Sequence, residues 1–317
     1  MIICVSANPA VDRRLSLEKL TVGGVNRASS VVPLPGGKAA HVALAARALG
    51  EAVMWVGFLG GASGSACERG LATLGIPVAV VNTAAETRSN LEIIESGGRV
   101  TEILEPGGSV SERDVERMLS LCRDVFYENG GTAQVALSGS LPPGAPADFY
   151  AQLTRLAHAQ GCRVILDTSG EALRSALGAS PDVVKPNRDE AEALTGLRVV
   201  DERTAAQAAR RLFDAGARGV AISLGADGMF WQESAESLPF VALPPRVEAR
   251  SAVGCGDASV AGFAVAHLRR LAGGEAVRFA AACGTANCLA DAPGMIDRGE
   301  VERVAAEISV RPSSGGA

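Results

Sequence analysis

Along most of the chain, short runs of β-branched and other apolar residues alternate with longer stretches in which apolar positions recur every three or four residues. The runs at 2–6 (IICVS), 53–58 (VMWVGF), 78–81 (VAVV), 133–138 (AQVALS), 163–167 (RVILD) and 218–224 (RGVAISL) are too short for helices and predict buried strands. Between them the helical period predicts helices at about 38–49, 64–74, 111–126, 146–159, 187–195 and 202–215. Strand, helix, strand at this spacing implies an α/β chain with a parallel sheet and helices on both faces. Ligands of such sheets bind beyond the carboxyl ends of the strands, which singles out Asn8, Gly60, Ser138, Asp167, Lys185 and Leu224.

Two segments break the alternation, at about 12–34 and 88–105. The second reads as a hairpin, LEII then ESGGR then VTEIL, with Gly97-Gly98 supplying the turn. It is either a small β lid over the sheet or a surface hairpin. No internal repeat or linker interrupts the pattern, so one domain over 1–317, with these β segments inserted, is expected. After about residue 309 the sequence ends in RPSSGGA, which reads as a frayed tail.

With 47% hydrophobic and 21% charged residues in 317, the chain can bury a large core, and a net charge of −5 excludes a global field for nucleic acid or anionic membrane. Any positive potential must therefore be local. The seven cysteines form no CxxC and the three histidines are far apart in sequence, which argues against zinc or a disulfide framework and for a reducing cytoplasm. The start, MIICVSANPAVDRR, lacks the basic opening and cleavage site of a secretory leader, and no apolar stretch reaches membrane-spanning length.

Candidate chemistry concentrates at 251–263, SAVGCGDASVAGF. Gly254, Cys255 and Gly256 precede a helix expected at about 257–271, and glycines there let an anion approach unsatisfied first-turn amides. Asp257 would then lie beside a bound phosphoryl group, placed to take a proton from an attacking hydroxyl. Asp is also an ordinary first-turn residue, and a lone GxGD decides little. The third glycine of a dinucleotide fingerprint is missing, and no Walker A motif occurs.

The motif has company. SANPAVD (6–12), PGGKAAHVA (35–43), GFLGGASG (57–64), TRSNLEI (87–93), SGSLPPG (138–144), DTSGEAL (167–173), KPNRDE (185–190), SLGADG (223–228) and VGCGDASVAG (253–262) occur in that order. The chain thereby resembles, over about 1–305, the ribokinase-like, PfkB-type carbohydrate kinases, in the branch of 1-phosphofructokinase, 6-phosphofructokinase and tagatose-6-phosphate kinase. The resemblance implies a three-layer α/β/α sandwich with a mainly parallel central sheet and a small β lid, often used to form a homodimer. It implies ATP and Mg²⁺, with a monovalent cation as a further candidate.

By the same resemblance Asp257 is the general base and Gly254, Cys255 and Gly256 the anion hole. Lys185, Asn187, Ser223, Gly225, Gly228 and Asn287 fall on the nucleotide side. Asn187 and Glu190 match a metal motif that acts through water, although the same pair reads as an N-cap and its capping-box partner. Asp12, Gly36, Gly37, Lys38, His41, Arg88 and Ser138 fall on the acceptor side, Arg88 as the partner of a substrate phosphate. Arg27 is a further candidate cation.

The sequence departs from the branch pattern at GGKGxNVA, where Ala39 and His41 replace glycine and asparagine, and at RxNxK, where Glu92 replaces lysine. Ser63 is a minor change. Arg88 favours a sugar phosphate; His41 and Glu92 leave open an unphosphorylated sugar or nucleoside, or a weakly catalytic nucleotide- or sugar-binding sensor.

Overall fold

The computed structural model of the chain describes residues 1–313. β1 (Ile2–Ser6) is followed by β2 (Ala10–Leu17), β3 (Ser30–Gly36), α1 (Lys38–Ala48), β4 (Val53–Leu59), α2 (Gly61–Thr73) and β5 (Val78–Asn82). Then come β6 (Arg88–Glu95), β7 (Val100–Leu104), α3 (Glu112–Glu128), β8 (Gln134–Ser138), α4 (Phe149–Ala159), β9 (Arg163–Asp167) and α5 (Gly170–Leu177). β10 (Val183–Val184), α6 (Arg188–Thr195), α7 (Glu202–Asp214) and β11 (Val220–Ser223) complete the alternation. The last part holds β12 (Met229–Gln232), β13 (Phe240–Leu243), α8 (Cys255–Leu268), α9 (Gly273–Leu289), α10 (Arg298–Glu307) and β14 (Ser309–Pro312).

Ten strands form the main sheet, in the order β14-β13-β12-β11-β10-β9-β8-β1-β4-β5. It is parallel from β5 to β11 and antiparallel from there to β14. Strand alternation divides the core into two layers. Ile3, Val5, Val135, Leu137, Val164 and Leu166 pack with residues of α3–α7. Ile2, Cys4, Ala136 and Ile165 pack with residues of α1, α2 and α8–α10. Each fully buried side chain of this size contributes about 1.5–3 kcal/mol of transfer free energy, so both faces must stay covered.

The two irregular segments become a second sheet, ordered β3-β2-β6-β7. β2 runs antiparallel to β3 and parallel to β6, and the 96–99 turn closes the β6–β7 hairpin with Gly98 at φ 81°. The register sets Asp12 beside Asn90 and Arg14 beside Glu92. Period-two alternation then places all four on one face.

The termini of three helices are fixed by reciprocal caps, Ser111 with Asp114, Asn187 with Glu190 and Asp201 with Thr204. The sequence places α2 three residues late and α4 three residues early; α4 starts at Phe149, whose amide bonds the carbonyl of Pro146 in a preceding turn. The expected tail needs correction. Residues 309–312 form an edge strand on β13, and Ser313 is buried with its amide on the carbonyl of Pro239. The backbone supplies that pairing, which a Ser- and Pro-rich composition does not advertise. Residues 314–317 lie outside the described residues.

Candidate active site

The carboxyl ends of β1, β8, β9, β10 and β11 open towards the start of α1 and the start of α8. Gly254 caps α8 in the left-handed region (φ 78°), and a Cβ there would come within 2.7 Å of Pro293. This is a turn that only glycine adopts without strain. Helix geometry leaves the amides of Gly256 and Asp257 without intrahelical partners. A Cβ on Gly256 would lie 3.2 Å from the ammonium of Lys185, so backbone amides and a cation share one small space.

Around that turn the charges are ordered. Lys185, 3% exposed, has its Nζ 3.7 Å from Asp167 Oδ1, and Lys38 Nζ lies 3.3 Å from Asp167 Oδ2 and 3.9 Å from Glu190 Oε1. Burial works against the Asp167 carboxylate, but Lys185 and Lys38 hold it below the usual range. Asp167 in turn raises Lys38 against its own burial, with help from Asp257 and Glu190. Lys38 is therefore held as a cation at the edge of the sheet.

His41 connects two carboxylates of the site. Its Nδ1 is 2.8 Å from Asp257 Oδ2 and its Nε2 2.8 Å from Asp12 Oδ2. Burial alone would push the imidazole down; the bonds to Asp12 and Asp257 outweigh it and bring it to about 10. Asp12 is also opposed by burial, yet His41, the Asn90 amide at 2.8 Å and the backbone amide of Gly37 at 3.3 Å hold it low. Gly36 is required beside it, because a Cβ would fall 2.1 Å from Asp12 Cγ.

On the opposite flank, Asn187 Oδ1 accepts the Glu190 amide and Glu190 Oε2 accepts the Asn187 amide, so the capping box is real. Glu190 Oε1 remains on the side of Lys38. Ser223 bonds back to the Pro186 carbonyl, and Arg188 braces the following turn through the Leu224 carbonyl and Asp227. Gly225 (φ 64°) faces open space, whereas Gly228 (φ 98°) is pressed against the Ala242 carbonyl. Asn287 spends its amide inside the protein, donating to the Val253 carbonyl and accepting from the Gly294 amide, so it holds the 254–257 turn in place. Cys255 lies with its sulfur 3.0 Å from that of Cys288.

Arg88 lines a hollow with Asn8, Thr83, Thr87 and Gly108. Its guanidinium donates to the carbonyls of Glu105, Asn8 and Pro9. Ser138 Oγ is buried with no hydrogen-bond partner among the described residues. Arg27 is exposed in the loop between β2 and β3, away from this convergence of partners. Glu92 is no bare negative charge, since Arg14 Nε lies 2.7 Å from its Oε2 and Ser251 Oγ 3.4 Å from its Oε1.

Sequence reasoning gave no role to Asn90 or Arg14, and placed Asp167 at the ligand-binding end of its strand without a partner. The register of β2 on β6 is the missing signal for the first two. For Asp167 the signal was present, a carboxylate ending the buried strand RVILD.

Comparison with known proteins follows the same lines. The sequence profile described as "pfkB family carbohydrate kinase" matches residues 3–294. A 1-phosphofructokinase of Xanthomonas campestris pv. campestris is 38% identical over 271 residues, 84% of either chain. A tagatose-6-phosphate kinase of Staphylococcus epidermidis is 32% identical over 314 residues, covering 98% of this chain and 99% of that one. Phosphofructokinase-2 of Escherichia coli, solved in complex with potassium, superposes with a TM-score of 0.88 at 30% identity, covering 96% and 98% of the two chains.

Proposed function

The chain belongs to the pfkB family of carbohydrate kinases, and from that premise we propose that it transfers the terminal phosphoryl group of ATP to a hydroxyl of a fructose- or tagatose-phosphate. The observation that carries the reading is the glycine turn at 254–256, with its free amides beside Lys185 and its carboxylate, Asp257, bonded towards the acceptor-side residues His41 and Asp12. Asp257 Oδ2 is engaged by His41, which leaves Oδ1 to take the hydroxyl proton as the oxygen attacks the phosphorus. The amides of Gly256 and Asp257 stabilise the charge that develops on the transferring group, and Lys185 adds a fixed cation.

Asp12, Asn90, Gly36 and Gly37 orient the acceptor, and Ser138 offers a buried hydroxyl. Arg88 meets the acceptor phosphate by turning from backbone carbonyls, which are weaker partners than a dianion. Lys185, Ser223, Gly225 and Gly228 border the nucleotide, with Asn187 and Asn287 fixing the loops around it, and Lys38 stands on the acceptor side. The donor set fits a hydrated Mg²⁺ carried by the triphosphate: one free oxygen of Glu190, with the other and Asn187 committed to the cap, is the sparse protein ligation that Mg²⁺ accepts. When bound, the ion neutralises charge on the β- and γ-phosphates. Potassium in the solved relative supports testing a monovalent cation by titration of the rate. Seven free thiols fit a cytoplasmic setting.

A panel of fructose 6-phosphate, fructose 1-phosphate, tagatose 6-phosphate, fructose and adenosine, assayed for ADP release with Mg²⁺-ATP, tests the reading. Turnover is expected on a phosphorylated ketose. Preference for fructose or adenosine would move the activity to an unphosphorylated acceptor, and no turnover on any member would favour a sensor.

A further inference from the structure

We propose that His41 is the positioning residue of the base: one imidazolium clamps Asp257 and Asp12 into a single hydrogen-bonded unit and sets the charge of the acceptor site for a phosphate-bearing sugar. The inference rests on the kinase reading above and deepens it. A neutral imidazole has one N–H and one bare lone pair, yet here both ring nitrogens face carboxylate oxygens at 2.8 Å. Only the doubly protonated ring donates to both. The ring is buried, so water does not offer itself as the alternative partner.

The consequences are geometric and electrostatic. Fixing Oδ2 of Asp257 fixes the direction of Oδ1, which a carboxylate on a short side chain would otherwise rotate. Tying Asp12 to the same ring makes acceptor seating and base orientation one event. The charged groups that act on the ring are Asp12 on β2, Asp257 on α8 and Glu102 on β7, while Lys38 on α1 acts on Asp257 and Arg88 on β6 acts on Asp12. A neutral residue at position 41 would leave the two nearest carboxylates uncompensated, a field that opposes an incoming dianion.

The test is the pH dependence of kcat/KM for wild type and His41→Asn on the panel's best phosphorylated acceptor. An asparagine is too short to span both carboxylates and carries no charge. The expected loss in kcat/KM is about 10–100-fold, the size of a charge-assisted hydrogen bond. The acid limb should move to higher pH and the alkaline limb near about 10 should vanish. KM for the sugar phosphate should rise more than KM for the unphosphorylated sugar. Unmoved limbs overturn the inference while leaving the kinase reading intact; absence of wild-type turnover sinks that reading instead. Should the variant fail to fold, nitrogen NMR of wild-type His41 decides, since loss of a ring proton near the ordinary value of 6.5 refutes the clamp.

A separate observation supports a second site. Cys255 and Cys288 are half-buried with sulfurs 3.0 Å apart, whereas Cys4, Cys67, Cys122, Cys162 and Cys283 are buried. We infer that this pair is reversibly oxidised by hydrogen peroxide. The Cys288 thiolate attacks one peroxide oxygen, giving a sulfenic acid and hydroxide; the Cys255 thiol then attacks that sulfur and expels water, leaving a disulfide. Peroxide takes both electrons. A bond length of about 2.05 Å draws Cys255, the first residue of α8, towards α9 and deforms the amide cradle. The Cys255 thiol is pushed up by Cys288 and by burial, and Cys288 is held lower by the same contact, which makes Cys288 the attacking group.

Peroxide-treated wild type should lose kinase activity together with the mass of two hydrogens, and dithiothreitol should restore both. Cys288→Ser, with ordinary basal activity, should survive the same treatment. Equal inactivation of Cys288→Ser, or inactivation without the mass loss, would overturn the proposal.

Discussion

Asp257 and His41 are 216 positions apart and share one hydrogen bond, so the chemistry at either depends on the fold bringing α1 and α8 together. Replacing Asp257 with Asn keeps the shape and removes the proton acceptor; turnover should fall about 10²–10⁴-fold. Calorimetric titration with ATP should find nucleotide affinity nearly unchanged. The same residues write a pH signature into stability. His41, raised from 6.5 to about 10, contributes stability that is full below 6.5 and lost as pH climbs through about 10. Asp12 is depressed, so its contribution is present above the ordinary value of 3.8 and lost on acidification through its folded value. Urea midpoints measured upward from neutrality should therefore fall as pH approaches about 10, and His41→Asn should flatten that fall. None of this was legible from a histidine in GGKAAHVA beyond the fact that it was unusual. Side-chain partners across two hundred residues carry no local pattern.

At the scale of elements, the sequence was readable where burial was one-sided or strands were fully buried. Six of the parallel strands announced themselves as apolar runs, while the two-residue β10 did not, and α3 and α7 announced themselves as amphipathic repeats. α9 did not, because ten of its seventeen residues are buried, most of them small, and the rest offer little polar face to contrast. β12 and β13, four residues each, owe their form to neighbours rather than to any run of their own. The glycines were legible as turns, but not for what they avoid. Gly36→Ala would drive a methyl into the Asp12 carboxylate, a steric conflict of about 1–3 kcal/mol. A lower thermal midpoint and a raised KM for the acceptor, with KM for ATP little altered, are the expected outcome in steady-state assays.

At the scale of the whole molecule, the small sheet carries uncovered apolar side chains. Val31 and Ile103 on one face of the small sheet, and Val32 and Leu104 on the other, are 43–60% exposed, an apolar concentration unusual for a free sheet. A second copy of the chain would bury it, and light scattering should report a dimer. Ile103→Lys should shift the population to monomers, and a monomeric wild type would count against the small sheet as the interface. The sheet's hairpin was visible in the sequence from ESGGR; its parallel pairing to β2 was not, since the partners are separated by the whole first βαβ unit.

Within the small sheet Arg14 on β2 pairs with Glu92 on β6; its guanidinium also reaches the Asp291 carbonyl, and Glu92 takes the Ser251 hydroxyl, three residues before the glycine turn at 254–256. The small sheet is thereby tied at two points, to the segment before α8 and to the one after α9. An outward swing of the sheet would carry Arg14 and Glu92 together and would break instead their ties to the Asp291 carbonyl and the Ser251 hydroxyl.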